Sequence, residues 1–189
     1  MNLPNKLTLL RIILVPFFVA FLLIPQIPLS SLWALVVFIV ASITDFLDGY
    51  LARKHNMVTD FGKFADPLAD KILVISAFCC FIQMGIIGAV PVIIVLFREF
   101  AVTSVRLVAA AKGTVVAANM WGKAKTVSQM IAIILTILLQ AVLQISGNTA
   151  LAQPFNIVIN IVVWISVLLT IISGVVYLKD NADLYKNAK

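Results

Sequence analysis

The chain has 189 residues, of which 62% are hydrophobic and only 12% are charged, and its mean hydropathy is +1.11. A water-soluble domain of this length needs a far more polar surface, so the composition excludes one and predicts an integral membrane protein. The net charge of +6 suits contact with anionic lipid headgroups, although it can equally reflect membrane orientation alone.

Six apolar segments each approach the ~20 residues that a bilayer core requires, which predicts an all-α, polytopic fold and a single membrane domain over residues 1–189. The predicted spans are residues 7–24, 31–52, 67–88, 91–111, 125–146 and 155–178. The loops after the first, third and fifth spans carry no charged residue, whereas both termini and the other two loops are rich in Lys and Arg. The positive-inside rule therefore places both termini and the charged loops in the cytoplasm.

The first predicted helix opens with P-N-K-L-T-L-L-R, residues 4–11. Asn5, Lys6 and Thr8 lie where they can reach a phosphate or a headgroup, and for Lys6 a snorkelling anchor is an equal alternative. Arg11 lies deeper in the membrane, so its charge needs a partner such as a carboxylate or a bound phosphate.

The second predicted helix ends in a polar face. Asp45 and Asp48 share this face at positions i and i+3, with the small residues Gly49 and Ala52 beside them. Because neither small residue has a bulky side chain, a diphosphate can approach the backbone there. Arg53 follows as a fixed cation, with a positive-inside flank as its alternative reading.

The next segment repeats the arrangement with Gly62, Asp66 and Asp70 at i, i+4 and i+8, and Pro67 is expected in a first helical turn. Four carboxylates on two such faces repel one another and are costly to desolvate unless a cation sits among them. Oxygen ligands without a His or Cys cluster suit Mg²⁺ or Mn²⁺, so we interpret the pattern as a two-metal phosphoryl-transfer site. The alternative is that the aspartates cap helices or pair with neighbouring basic residues, namely Arg53, Lys63 and Lys71.

The fourth predicted helix places charges within apolar sequence. An ion pair is the favoured reading for Arg98 and Glu99. Arg106 lies nearer the cytoplasmic end, and W-G-K-A-K-T at residues 121–126 adds Lys123 and Lys125. Since Arg gives bidentate contacts and Lys a point charge, Arg106, Lys123 and Lys125 form a candidate phosphomonoester site. The fifth and sixth helices are otherwise expected to be apolar scaffold.

The motif D-x-x-D-G-x-x-A-R-x8-G-x-x-x-D-x-x-x-D, between residues 45 and 70, resembles the signature of the CDP-alcohol phosphotransferases and departs from it at no fixed position. P-N-x-L-T-x-x-R, V-L-F-R-E-F and W-G-K-A-K-T are similar to the bacterial phosphatidylglycerophosphate synthases within that family. This resemblance extends from residue 4 to about residue 126.

The resemblance implies transfer of a phosphatidyl group from CDP-diacylglycerol to sn-glycerol 3-phosphate, with release of CMP, at the cytoplasmic face of the cell membrane. It implies two divalent cations, Mg²⁺ or Mn²⁺, a homodimer, and no nucleic-acid partner. The implied metal ligands are Asp45, Asp48, Asp66 and Asp70, with Asp70 also placed as general base. The implied CDP contacts are Gly49, Ala52 and Arg53, together with Asn5 and Thr8. The expected acceptor-phosphate contacts are Arg106, Lys123, Lys125 and Arg11.

Two alternatives remain open at this point. The acceptor could be another alcohol, such as inositol phosphate, because the signature specifies the CDP half of the site and not the acceptor half. An apolar protein with acidic and basic residues in its helices could also be an ion-coupled transporter. The acidic residues cluster at one cytoplasmic edge, and no matched pair of Gly/Pro-broken half-helices is evident, so the sequence disfavours transport.

Overall fold

The computed structural model describes the backbone of residues 2–24, 26–54, 60–114 and 119–182. Within these ranges it omits the side chains of residues 3–4, 46–54, 60–64, 66–67 and 70. The elements are α1 (Leu3–Leu23), α2 (Ser30–Lys54), α3 (Asp60–Gln83), α4 (Ala89–Ala111), α5 (Met120–Ser146), one 3₁₀ turn (Thr149–Leu151) and α6 (Ala152–Asp180). No strand occurs among the described residues, so the all-α prediction is confirmed.

Three helices of the described chain are long and apolar enough to cross a membrane, namely Asn5–Leu23, Met120–Ser146 and Thr149–Asp180. Two shorter apolar stretches of the described chain lie in α2 and α3, at Ser30–Asp45 and Lys71–Gln83. The count of six spans and the cytoplasmic location of the termini stay predictions.

The breaks predicted after the first and fifth spans coincide with turns in the structure, whereas the turn after α3 lies at residues 84–88, earlier than the predicted break between residues 88 and 91. Gly85 and Gly147 follow the ends of α3 and α5 with φ values of 71° and 63°, a backbone conformation that glycine adopts at little cost. The prediction for Pro67 is wrong, because α3 begins at Asp60 and the proline lies in the helix interior. The i, i+4 spacing of Gly62 and Asp66 already favoured helix ahead of it, at the expense of the backbone hydrogen bond that a proline cannot donate.

The chain divides into two compact units, which comprise Met1–Gly85 with Ile133–Phe155, and Ile86–Ala132 with Asn156–Lys189. In the first unit α1 packs against α2 and α3. Phe18 and Phe38 are fully buried between α1 and α2, with ring centroids 5.6 Å apart. This contact aligns the polar residues of α1 with the carboxyl-terminal half of α2.

The second unit contains α4, the beginning of α5 and most of α6. Four polar residues of α6, at i, i+4, i+7 and i+11, are buried on one face: Ser166, Thr170, Ser173 and Tyr177. We call them the α6 polar row. Gln129 of α5 donates to the Thr170 hydroxyl at 3.2 Å. The expectation of an apolar scaffold is therefore wrong for this face of α6, because a stripe of hydroxyls is outnumbered by the apolar residues around the rest of the helix and hidden in its average hydropathy.

Candidate active site

The first polar site joins α1 to α2 through Arg11 and Asp45. The Arg11 side chain is fully buried, and its Nη1 lies 3.2 Å from Asp45 Oδ1. Its Nε donates to the carbonyl oxygen of Ala41, one turn before Asp45, at 3.3 Å. Of the two partners that the sequence left open for Arg11, the structure shows a carboxylate. A contact between Arg11 and an acceptor phosphate stays a prediction.

The polar face of α1 points into the first unit. Asn5, Thr8 and Arg11 are buried at i, i+3 and i+6, whereas Lys6 is exposed on another face. The structure therefore separates the three predicted interior contacts from Lys6, whose exposure suits either a snorkelling anchor or a headgroup contact. The predicted role of Asn5 and Thr8 in binding CDP is not tested by this burial.

The remaining motif residues lie on helices but their side chains fall outside the described set. Asp48, Gly49, Ala52 and Arg53 belong to the last turns of α2, and Gly62, Asp66 and Asp70 belong to α3. Their helical backbone confirms the periodicity on which the shared faces were predicted. Among the described side chains no group of three or more His, Cys, Asp or Glu comes together, so metal ligation by the four aspartates stays a prediction.

Asp45 provides a test of whether this site suits a hard cation. Its carboxylate is 46% exposed, and the recorded ion pair engages Oδ1 alone. A half-exposed carboxylate with its second oxygen outside that pair fits the oxygen coordination that Mg²⁺ and Mn²⁺ prefer. The donor set of the motif is thus compatible with the implied cations.

The second polar site lies in the second unit and centres on Glu99. Arg98 Nη1 lies 2.9 Å from Glu99 Oε1, and Lys125 Nζ of α5 approaches the same oxygen at 2.5 Å. Arg98 Nη2 also donates to Ser173 Oγ of α6 at 2.6 Å. We call Arg98, Glu99, Lys125 and Ser173 the Glu99 cluster. It confirms the predicted ion pair of Arg98 with Glu99 and connects three helices.

The cluster is tightly enclosed by glycines and a helix cap. A Cβ added to Gly174 would lie 3.0 Å from Arg98 Cγ, and one added to Gly122 would lie 3.3 Å from Asn119 Oδ1. Asn119 caps α5 by accepting a bond from the Gly122 amide at 2.9 Å. Two buried donors in the described part of the chain, Arg98 Nε and Asn119 Nδ2, have no acceptor. Such donors favour a site that receives oxygen atoms from water or a ligand.

Three of the four cations predicted to bind an acceptor phosphate lie in the second unit, where the structure divides them. The Lys125 side chain is 7% exposed and is engaged by Glu99, whereas Arg106 and Lys123 are exposed. Sequence spacing predicted the set but not this division, because the pairing of Lys125 with Glu99 spans 26 positions and two helices.

Sequence reasoning missed the partner of Arg106 altogether. Arg106 Nε donates to the Tyr177 hydroxyl at 3.2 Å, and the guanidinium carbon lies 5.5 Å from the centroid of the Tyr177 ring. This distance is within the range of a cation–π contact. The α6 polar row was the signal that could have identified Tyr177, since its position follows Ser166, Thr170 and Ser173 at helical spacing.

Comparisons with known proteins agree along most of the chain. A family model described as CDP-alcohol phosphatidyltransferase matches residues 1–172. A protein of Bacillus subtilis (strain 168) is 42% identical, over 99% of this chain and 98% of its own length. Similar proteins occur in Rickettsia bellii, 39% identical over 94% of both chains, and in Haemophilus influenzae, 40% identical over 70% of this chain and 73% of the relative. All three relatives are named CDP-diacylglycerol–glycerol-3-phosphate 3-phosphatidyltransferase.

Proposed function

Because the chain belongs to the CDP-alcohol phosphatidyltransferase family, we infer that it is an enzyme that transfers the phosphatidyl group of CDP-diacylglycerol to sn-glycerol 3-phosphate. The products are phosphatidylglycerophosphate and CMP. The observation that carries this inference is the 42% identity to a relative of this name over nearly the whole of both chains. The complete acidic motif between residues 45 and 70 agrees with it.

The test is to incubate purified protein with CDP-diacylglycerol and a panel of acceptor alcohols, and to follow release of CMP. Glycerol 3-phosphate should give the highest kcat/KM. A preference for inositol phosphate would retain the chemistry and replace the acceptor. Solute uptake by proteoliposomes without CMP release would support the transporter alternative.

The chain is an integral membrane protein, since three described helices are each long and apolar enough to cross a bilayer. We propose six spans in the cell (inner or cytoplasmic) membrane, both termini in the cytoplasm, and an active site that opens to the cytoplasm. The distribution of Lys and Arg supports this orientation. Protease accessibility of terminal tags in sealed vesicles of known sidedness tests it. A homodimer, implied by resemblance, is tested by mass measurement in detergent.

The proposed metal site takes its carboxylates from two helices. Asp45 and Asp48 of α2, with Asp66 and Asp70 of α3, would hold two divalent cations, Mg²⁺ or Mn²⁺. When bound, such cations neutralise the diphosphate and offset the charge that develops on the leaving CMP. Arg11 engages Asp45 and is fully buried, so we propose that it orients this carboxylate. Its predicted contact with the acceptor phosphate stays part of the proposal.

The proposed reaction is a displacement at the β-phosphorus of CDP-diacylglycerol. The primary hydroxyl of glycerol 3-phosphate forms a new oxygen–phosphorus bond while the bond from phosphorus to the oxygen of CMP breaks. Asp70 accepts the hydroxyl proton, a contribution of roughly 10²–10⁴ in rate. Gly49 and Ala52 admit the diphosphate to the α2 backbone, and Arg53, Asn5 and Thr8 contact the CDP moiety.

The acceptor phosphate is assigned to the exposed cations of the second unit. Arg106 and Lys123 are exposed, and in the described chain the Arg106 Nη atoms have no hydrogen-bond partner. A guanidinium edge of this kind suits bidentate contact with a phosphate. Lys125 stays in the proposed set as a buried ammonium that is held by Glu99.

A further inference from the structure

Tyr177 is the residue that determines how Arg106 can present its guanidinium. The tyrosine is 2% exposed in the second unit, whereas Arg106 of α4 is exposed. One side of the contact is therefore fixed by packing, and the other is a long flexible cation at the surface of the protein.

Two contacts restrict that cation. The Tyr177 hydroxyl accepts from Nε at 3.2 Å, and the ring lies 5.5 Å from the guanidinium carbon. Because Nε is occupied, an incoming phosphate can no longer use the edge formed by Nε and one Nη atom. The edge formed by the two Nη atoms remains for a bidentate contact.

The simpler interpretation is that Tyr177 is a core residue against which the aliphatic part of the Arg106 side chain packs. The α6 polar row argues for more than packing. Ser166 and Thr170 direct their hydroxyls to carbonyls of their own helix, at 2.8 and 2.7 Å. Ser173 and Tyr177 instead accept bonds from arginines of α4. Ser173 and Tyr177, the two carboxyl-terminal members of the row, thus orient cations. The cation that Tyr177 holds, Arg106, is exposed.

We propose that Tyr177 is a positioning residue, which holds Arg106 so that its two Nη atoms face the phosphate of the acceptor substrate. This inference rests on the proposed function, because it assumes that Arg106 binds that phosphate. Pre-organising the guanidinium reduces the rotamer freedom that is lost when the acceptor binds.

The decisive variant is Tyr177→Phe, which keeps the buried ring and removes only the hydroxyl that accepts from Nε. It should raise the KM for glycerol 3-phosphate by about 10-fold, equivalent to about 1.4 kcal/mol, and leave the KM for CDP-diacylglycerol within about 2-fold. Ser166→Ala is the matched control, because it removes a buried α6 hydroxyl that bonds only within its helix. Both kinetic constants of this control should equal those of the unmodified enzyme.

Arg106→Gln separates this inference from the proposed acceptor site. If Arg106→Gln leaves the acceptor KM unchanged, the proposed phosphate site is wrong. This is the result expected if Arg106 contacts a lipid headgroup and not the acceptor. If Arg106→Gln raises that KM and Tyr177→Phe does not, the acceptor site stands and the positioning role is overturned. A parallel rise in both KM values for Tyr177→Phe also overturns it, since a general structural defect does not discriminate between substrates.

A double variant completes the test. Once Arg106 is replaced by Gln, adding Tyr177→Phe should have no further effect on the acceptor KM, because the hydroxyl acts through the guanidinium. Additive effects of the two substitutions would show that Tyr177 acts on the acceptor by another route and would contradict the proposal.

Discussion

Replacing Glu99 with Gln tests whether the ion pairs of the Glu99 cluster stabilise the packing of α4 against α5. The substitution keeps the size of the side chain but removes the negative charge that two cations share through Oε1. Arg98 and Lys125 are 11% and 7% exposed. Bulk water therefore has little access to the two cations that the lost carboxylate would leave unpaired.

The expected loss of stability follows from this burial. Removing one partner of a buried ion pair costs about 3–5 kcal/mol, and a charge near the centre of a membrane helix costs about 2.5–3.5 kcal/mol by insertion scales. Because the Gln amide oxygen can still accept one bond, we expect a loss of about 3 kcal/mol. For a chain of this size, about 2–4 °C per kcal/mol gives a decrease in Tm of about 6–12 °C.

Thermal unfolding in detergent, followed by helical circular dichroism, measures this decrease. Lys125→Gln and Lys123→Gln form a matched pair, since both remove one ammonium but only Lys125 is buried against Glu99. Lys125→Gln should also lower Tm, whereas the exposed Lys123→Gln should change stability by less than about 0.5 kcal/mol.

The double variant of Glu99→Gln and Lys125→Gln gives the result that could refute this reasoning. Removing both charges leaves fewer unpaired groups, so its loss should be smaller than the sum of the single losses by about 0.5–3 kcal/mol. Additive losses, or an unchanged Tm for Glu99→Gln, would show that the ion pair does not stabilise the second unit.

Three further predictions concern packing and chemistry. Gly174→Ala should lower Tm by an amount that corresponds to about 1–3 kcal/mol, because the added Cβ would meet Arg98 Cγ at 3.0 Å. Gly88→Ala is the control, because a Cβ added there would meet nothing within 4 Å. Equal Tm values for the two variants would contradict the packing argument. Chelation of divalent cations should abolish CMP release, and Asp45→Asn should reduce it by orders of magnitude; normal turnover of this variant at low metal concentration would exclude Asp45 as a ligand. Asp70→Asn should lose the chemical step but retain most CDP-diacylglycerol binding, and an equal loss of binding would identify Asp70 chiefly as a ligand.

Local spacing predicted the parts of this protein that depend on one helix at a time. The apolar segments gave the helices, and the adjacency of Arg98 and Glu99 in otherwise apolar sequence predicted their ion pair, which the structure confirms. The predicted start of α3 was wrong because it relied on Pro67, and a proline is compatible with either the first turn or the interior of a helix. Side-chain geometry at the carboxyl end of α2 and the start of α3 lies outside the described residues, so the predicted metal site remains to be tested.

Contacts between helices could not be read in the same way. The sequence required a partner for Arg11 but could not choose between a carboxylate and a phosphate, because the choice depends on the depth and rotation of α1 against α2. The partners of Lys125 and Arg106 lie 26 and 71 positions away. Helical periodicity identifies the face on which a residue lies, but not which face of another helix it meets.

The length of α6 has a consequence for where this enzyme can be shortened. The helix has 29 residues, whereas ~20 suffice to cross a bilayer core. A helix that stopped before Ser173 would still be long enough for a span, yet it would lack the hydroxyls that accept from Arg98 and Arg106. The last turns of α6 therefore hold two arginines of α4 in place. A truncation there should yield a protein that inserts into the membrane but lacks both hydroxyls, including the one that holds Arg106 of the proposed acceptor site.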